Sequence, residues 1–457
     1  MLKKISLSNF KAFHEMKELE IKNLTVIVGR NSCGKSSLMQ SLLLLKQTLD
    51  SQNNTPLCLD GKYLKFSNLK ELSFGLPKIN SAKIGYELFL DNEDDNDNED
   101  DKISGRIKIG YKNTRVEEGY TPSLSEYKVI IDKETKDLIT SFTKISKTKA
   151  KSLAKSFIKH FEDEGESELS DVRVLFHKFL PEFIQLKFES INSEGKLEKK
   201  IINIPFFAVM NEEMELNSLL NSELKNIRYL SPIRARPERA YVHYSQDVSQ
   251  LNEDGSNSAH ILWTKKSEKV QWKNKDYPLS EAVNKCIDTI GLSQEISPDK
   301  VGDIIYKVGI KESSSGSDVS LADVGFGYSQ VIPIILMGLL NKKENLMLIE
   351  QPEIHLHPSS AANLADLFLG FAENDKRFII ETHSQEFINK LRLRVIQNPE
   401  LKKKINIVFV EQKKGCGSNV KQFEIDEDGM FPEWPEGFLD ESESLARQIL
   451  EARLGMD

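Results

Sequence analysis

Two kinds of apolar pattern predict two kinds of strand. Alternating stretches, with every second residue apolar, read as strands buried on one face. Ile5–Phe10, Glu18–Ile21, Ala82–Leu90 and Gly105–Ile109 are of this kind, and residues 60–130 as a whole alternate like antiparallel strands. Leu24–Val28, Leu346–Ile349 and Arg377–His383 instead carry continuous apolar runs, the pattern of strands buried on both faces in a parallel sheet. Asp303–Lys311 reads as a further strand, and Phe423–Gly429 as a strand ending in a turn. Helical spacing predicts helices over Ser36–Gln47, most of 134–225, 255–300, Ile332–Leu340 and the tail Glu441–Leu454. Asp91–Asp101, with eight acids, three asparagines and no base, repels itself and reads as a solvated loop.

The polar ends of the buried strands carry the candidate chemistry. After Leu24–Val28 comes Gly29-Arg-Asn-Ser-Cys-Gly-Lys-Ser36, which fits G-x-x-x-x-G-K-[ST]. Glycines Gly29 and Gly34 let the backbone wrap a phosphate, with Asn31, Ser32, Cys33 and Ser37 completing the cradle. Lys35 neutralises the outer phosphates and the Ser36 hydroxyl takes a coordination site on Mg²⁺. Strand, loop and helix together predict a nucleoside triphosphate site, with ATP and Mg²⁺ as cofactors. Glu350, at the end of Leu346–Ile349, stands where a carboxylate would join Ser36 in holding the metal. His383 follows the next buried strand and reads as a γ-phosphate sensor. Gly325, Gly327, Ser329 and Gln330 precede an apolar helix and form a second anion-binding helix start.

Composition narrows the class. A chain of 457 residues, 29% charged and 39% hydrophobic, describes a globular protein of two or three domains. No apolar run approaches the ~20 residues needed to cross a bilayer, and no signal-peptide segment is present, so no membrane role is expected. Four scattered cysteines (Cys33, Cys58, Cys286, Cys416) predict neither a disulfide framework nor a zinc knuckle, and point to a reducing cytoplasm. The net charge of −8 confines any nucleic-acid contact to a local basic surface. Lys147, Lys151, Lys155 and Lys159 recur every fourth residue, either as a solvated helix face or as a docking strip for nucleic-acid phosphates or an acidic protein. Tyr229–Tyr241 interleaves three arginines with two prolines, as an anion or partner contact or as a brace through Glu238.

This order of parts resembles the ABC-type ATPases of the SMC, RecF and OLD group. More narrowly, Asp323–Gln330, Ile349–Pro358 and Phe431–Glu441 are similar to a family of AAA-like ATPases. The resemblance implies an α/β fold: an ABC-type P-loop NTPase head with an antiparallel β-subdomain and a mainly helical insertion. Residues 1–133 and 301–457 would form the two halves of the head, and 134–300 the insertion. It places Lys11 near the nucleotide. Relatives mostly end this strand Asp-Glu, so Glu350 takes the metal role and Gln351 the general-base position. Glutamine can orient water but cannot take its proton, so Glu353 is the alternative base and hydrolysis is expected to be slow.

The implied mechanism is a homodimer that sandwiches ATP between Gly29–Ser36 of one copy and the 325–330 helix start of the other. The implied role is regulation of a separate effector, a nuclease or toxin, in a bacterial antiphage module. The alternative is a RecF- or SMC-like DNA-binding ATPase of repair or chromosome maintenance. The long insertion between Ser36 and Asp323 argues against a transporter subunit. The short stretch after His383 argues against a self-contained OLD-type nuclease. In the tail, Trp434 and Phe438 either pack on their own domain or meet a partner.

Overall fold

The protein is described by a computed structural model that covers all residues except 93–102, 118, 133–137, 142–167, 192–196, 209–210, 243–249, 293–294, 302–304, 312–317, 324–326, 414–416, 432–447, 449 and 454–457. The chain opens with β1 (Leu2–Phe10), β2 (Phe13–Glu20), β3 (Leu24–Gly29) and α1 (Lys35–Asp50). Strands β4 (Lys83–Asp91), β5 (Ser104–Val116), β6 (Gly119–Ile131), β7 (Leu138–Ser141), β8 (Glu168–His177), β9 (Leu180–Ile191) and β10 (Leu197–Pro205) follow, then α2 (Asn211–Lys225). Next come β11 (Arg228–Leu230), β12 (Tyr241–Val242), α3 (Ser258–Lys265), β13 (Lys269–Trp272), β14 (Lys275–Pro278) and α4 (Leu279–Thr289). The remainder is β15 (Glu295–Lys300), β16 (Ile305–Lys311), β17 (Asp318–Ser320), α5 (Gly327–Leu340), β18 (Leu346–Glu350), α6 (Pro358–Ala372), β19 (Arg377–Glu381), α7 (Gln385–Gln397), β20 (Ile405–Lys413) and β21 (Gly417–Phe423).

Two compact units result. The first gathers residues 1–20, 37–226 and 412–419; the second gathers 21–36, 227–411 and 420–457. In the first, a six-stranded sheet runs β2-β1-β4-β5-β6-β7 and a three-stranded sheet runs β10-β9-β8. Alternation along β4 buries Ile84, Tyr86, Leu88 and Leu90, which is why one face packs and the other stays wet. At the end of α1, the Lys178 ammonium reaches the carbonyls of Leu49 and Ser51, a cation placed at the negative end of a helix.

The expectation of helices over most of 134–225 is overturned for 168–191 and 197–205, which carry β8, β9 and β10. Ile184, Leu186 and Phe188 alternate with Gln185, Lys187 and Glu189, a strand period that the density of charge disguises. Strand β10 buries only Ile204 among its central residues, so its pattern carried little signal of either kind. Asn211–Lys225 is helical as expected. Within 255–300, helices α3 and α4 are joined by the β13–β14 hairpin and followed by strand β15.

The second unit is built on the sheet β11-β18-β19-β3-β20-β21, in which β11, β18, β19, β3 and β20 pair in parallel. Every residue of Leu24–Val28, Leu346–Ile349 and Arg377–Glu381 is buried, as the continuous apolar runs predict. Phe368 and Phe371 of α6 pack on Phe378, and Trp272 packs edge-on against Phe371. Truncating such a ring to alanine costs about 3–5 kcal/mol. This is the α/β P-loop NTPase fold, carried alongside antiparallel sheets. The lysine strip at 147–159, the acidic loop from 93 on and most of the tail fall outside the described residues.

Candidate nucleotide site

Parallel strands deliver the functional groups because all their carboxyl ends face the same edge. β3 ends at Gly29, whose φ is 145°. A Cβ there would stand 2.3 Å from the Val410 carbonyl oxygen and 3.0 Å from Cys33 Sγ, so no side chain fits. Ser32 (φ 62°) and Gly34 (φ 99°) complete the reversal into α1. Lys35 is buried and its ammonium donates to the carbonyls of Gly29 (3.0 Å) and Arg30 (2.7 Å). Asn31 and Ser32 are exposed, whereas Cys33 and Ser37 are buried. Burial raises the Cys33 thiol pKa against the opposing charge of Lys35.

Three glutamates crowd the neighbouring strand ends. Glu350 and Glu381 are register partners on β18 and β19. The Ser36 hydroxyl donates to Glu381 Oε1 at 3.2 Å, while Glu381 Oε2 is buried with no hydrogen-bond partner. Glu350 Oε1 accepts from the Tyr229 hydroxyl at 2.8 Å. Glu353 Oε1 accepts the His383 backbone N–H at 2.7 Å, and its Oε2 is again buried and unpartnered. Burial raises the pKa of all three, and Glu381 is raised further by the charges of Glu350 and Glu353. The His383 ring is pushed below its ordinary value by desolvation and by Lys35, so it is neutral at pH 7.

Among the described residues no three His, Cys, Asp or Glu side chains form a metal cluster on their own. Mg²⁺ on a nucleotide asks for less, since it keeps waters and phosphate oxygens and takes one or two protein ligands. A serine hydroxyl beside a carboxylate with one oxygen unsatisfied fits that need.

The other residues singled out in the sequence are distributed as follows. Gln351 sits at φ 45°, and its N–H donates to the Glu381 carbonyl at 2.7 Å. Gly327 opens α5 partly exposed, whereas Ser329 and Gln330 are buried on its first turn; Gly325 lies outside the described residues. The Lys11 ammonium donates to Gln40 and lies 4.6 Å from the centre of the Phe66 ring. In the arginine segment, Arg234 is buried against the β18 turn and Arg239 pairs with Asp323 at 2.8 Å.

Sequence reasoning passed over Glu381, which carries the same signal as Glu350, a carboxylate closing a buried strand. It singled out the Tyr229–Tyr241 segment as an anion contact or a brace but not the partners of Tyr229 and Arg234, which follow from the pairing of β11 with β18.

Solved structures similar to this chain include a SmcHead bound to the C-winged helix domain of ScpA, with 12% identity, a TM-score of 0.44, and 93% of this chain and 98% of that chain covered. The SMC head domain from Thermotoga maritima gives 12%, 0.39, 93% and 99%. Among curated proteins, Endonuclease GajA of Bacillus cereus (strain HuB5-5) is 22% identical over 433 residues. The match takes in 84% of this chain and 56% of the relative, so the chain spans about half the length of that protein. Residues 402–449 match a family described as a protein of unknown function (DUF3696). Residues 1–388, most of the chain, match the AAA ATPase domain, and the chain therefore belongs to the AAA ATPase domain family.

Proposed function

We propose that this protein binds and slowly hydrolyses ATP, and that nucleotide-dependent pairing of two copies acts as a switch on a nuclease or toxin effector in a bacterial antiphage module. The observation that carries the reading is the phosphate loop ending in Ser36, hydrogen-bonded to Glu381 at 3.2 Å. Ser36 and Glu381, with Glu350 one strand over, would hold Mg²⁺, which supplies charge neutralisation at the outer phosphates. Lys35 leaves its own loop carbonyls for the phosphates. Neutral His383 donates a hydrogen bond toward the γ-phosphate. Glu353, raised in pKa by burial, accepts the proton of a water that Gln351 orients. Without the usual base on β18 itself, turnover falls well below the ~10 s⁻¹ typical of enzymes.

In the pair, the α5 start reaches the other copy's nucleotide through Gly327, so ATP ties the copies together and hydrolysis parts them. Similarity to an endonuclease over 84% of this chain supports placing the switch beside nuclease chemistry. The test is the solution mass with and without Mg²⁺-ATP, beside Lys35→Ala. An ATP-dependent rise in subunit number, absent in the variant, is expected; an unchanged mass would overturn the switch.

A further inference from the structure

Arg234 is a buried cation with an unusual set of partners. Its guanidinium donates to the carbonyls of Glu350 (3.1 Å), Pro232 (3.0 Å) and, at the long limit, Gln351 (3.4 Å). Its charge faces Glu353 and Glu350, and its Nε is buried without a partner. Burial lowers its pKa to about 10, so it is still charged at neutral pH. Holding a cation in such a place is costly, and the cost is offset by the carboxylates it faces and the carbonyls it holds.

That geometry is the turn after β18. Gln351 (φ 45°) and His355 (φ 64°) both sit in the left-handed region, which is unfavourable for a non-glycine residue. Such backbone persists where surrounding bonds over-determine it. Here the Gln351 N–H is held by the Glu381 carbonyl, and the carbonyls on both sides of that residue are held by Arg234. The reversed chain then returns Glu353 to the His383 N–H.

We infer that Arg234 is a positioning residue for hydrolysis, clamping the Gln351–Glu353 turn so that the water-orienting amide and the Glu353 carboxylate face the γ-phosphate together. This rests on the ATPase reading above and adds to it a residue that acts through the backbone of the turn. A planar guanidinium carries its donors in a rigid fork on separate nitrogens and so fixes these carbonyls relative to one another, whereas the donors of an ammonium radiate from one freely rotating nitrogen.

The experiment is steady-state ATP hydrolysis by the full chain, with Arg234→Met, Arg234→Lys and Lys35→Ala measured beside it and ATP affinity determined separately. Arg234→Met is expected to lower kcat about 10- to 100-fold, the penalty for a misplaced catalytic group, with KM and ATP affinity unchanged. Arg234→Lys should recover part of the loss. Unchanged kcat in Arg234→Met, or a matching loss of ATP affinity, overturns the inference. If Arg234→Met does not fold, Arg234→Lys decides, since wild-type kcat in that variant overturns it equally. A wild type no faster than Lys35→Ala would instead remove the ATPase reading itself, and this inference with it.

Discussion

In the first unit, the buried Lys178 ammonium is matched by two carbonyls and the Tyr127 hydroxyl by Asn217, and the unpartnered atoms include the neutral hydroxyls of Tyr86 and Tyr111. In the second, the unpartnered atoms include carboxylate oxygens of Glu353 and Glu381 and a guanidinium N–H of Arg234, all at the carboxyl edge of one parallel sheet. An orphaned hydroxyl costs on the order of 1–3 kcal/mol. A buried charged group with an unsatisfied polar atom costs more, and a cluster of such groups at one strand edge marks a functional-site candidate. The Tyr86 and Tyr111 hydroxyls are neutral groups in a sheet core, whereas the second unit's are charged groups at the strand ends where the proposed nucleotide site lies.

The largest expected effect lies in the second unit. Glu381→Gln should lower Mg²⁺-dependent phosphate release by about 100-fold or more, in the range of lost transition-state electrostatics. Turnover within a fewfold of wild type would return the metal to Glu350 alone. Next is Lys178→Met in the first unit, which strands the carbonyls of Leu49 and Ser51. Unfolding should become easier by about 2–3 kcal/mol, the scale of charged hydrogen bonds, with ATP affinity unmoved. A thermal melt beside nucleotide titration reads both.

A smaller effect tests the charge on Glu381 directly. Its folded pKa is raised above the ordinary 4.5, so its ionised form weakens the fold, and that penalty grows as pH rises through the folded pKa. Glu381→Gln should therefore melt above wild type at pH 8, with the gap closing as pH falls toward 4.5. A gap that widens toward acid would contradict burial as the cause. Smallest of all is Tyr111→Phe. Removing an unpartnered hydroxyl should stabilise by about 1 kcal/mol, the low end of what its burial costs, because the small void left by the oxygen takes part of the gain back. A loss as large as that of Lys178→Met would show the hydroxyl to be engaged, and the contrast between the units would fail.

How much of this was legible depends on how local each signal is. Leu24–Val28, Leu346–Ile349 and Arg377–Glu381 announce buried parallel strands by themselves, and the phosphate loop announces its ligand. Glu381 was equally visible but lay beside His383, which drew the functional reading. The β8–β10 sheet was hidden because Lys187 and Glu189 charge the less buried face of β9 and β10 exposes Lys199 and Lys200 on successive positions, which breaks the alternation. Arg234 could not have been placed, since its partners are backbone carbonyls at 350 and 351, and backbone atoms leave no trace in side-chain patterns.

The position of β3 in its sheet has a consequence for synthesis. Val26 is flanked by Ile380 on one side and Ile407 on the other. A growing chain therefore displays its phosphate loop early but cannot seat β3 until residues beyond 407 have left the ribosome. Pairings so distant in sequence form slowly and leave apolar strands uncovered in the meantime. A nascent chain released only as far as residue 226 thus holds every residue of the loop yet lacks both strands that flank β3, so the seat of the loop is among the last parts of this fold to form.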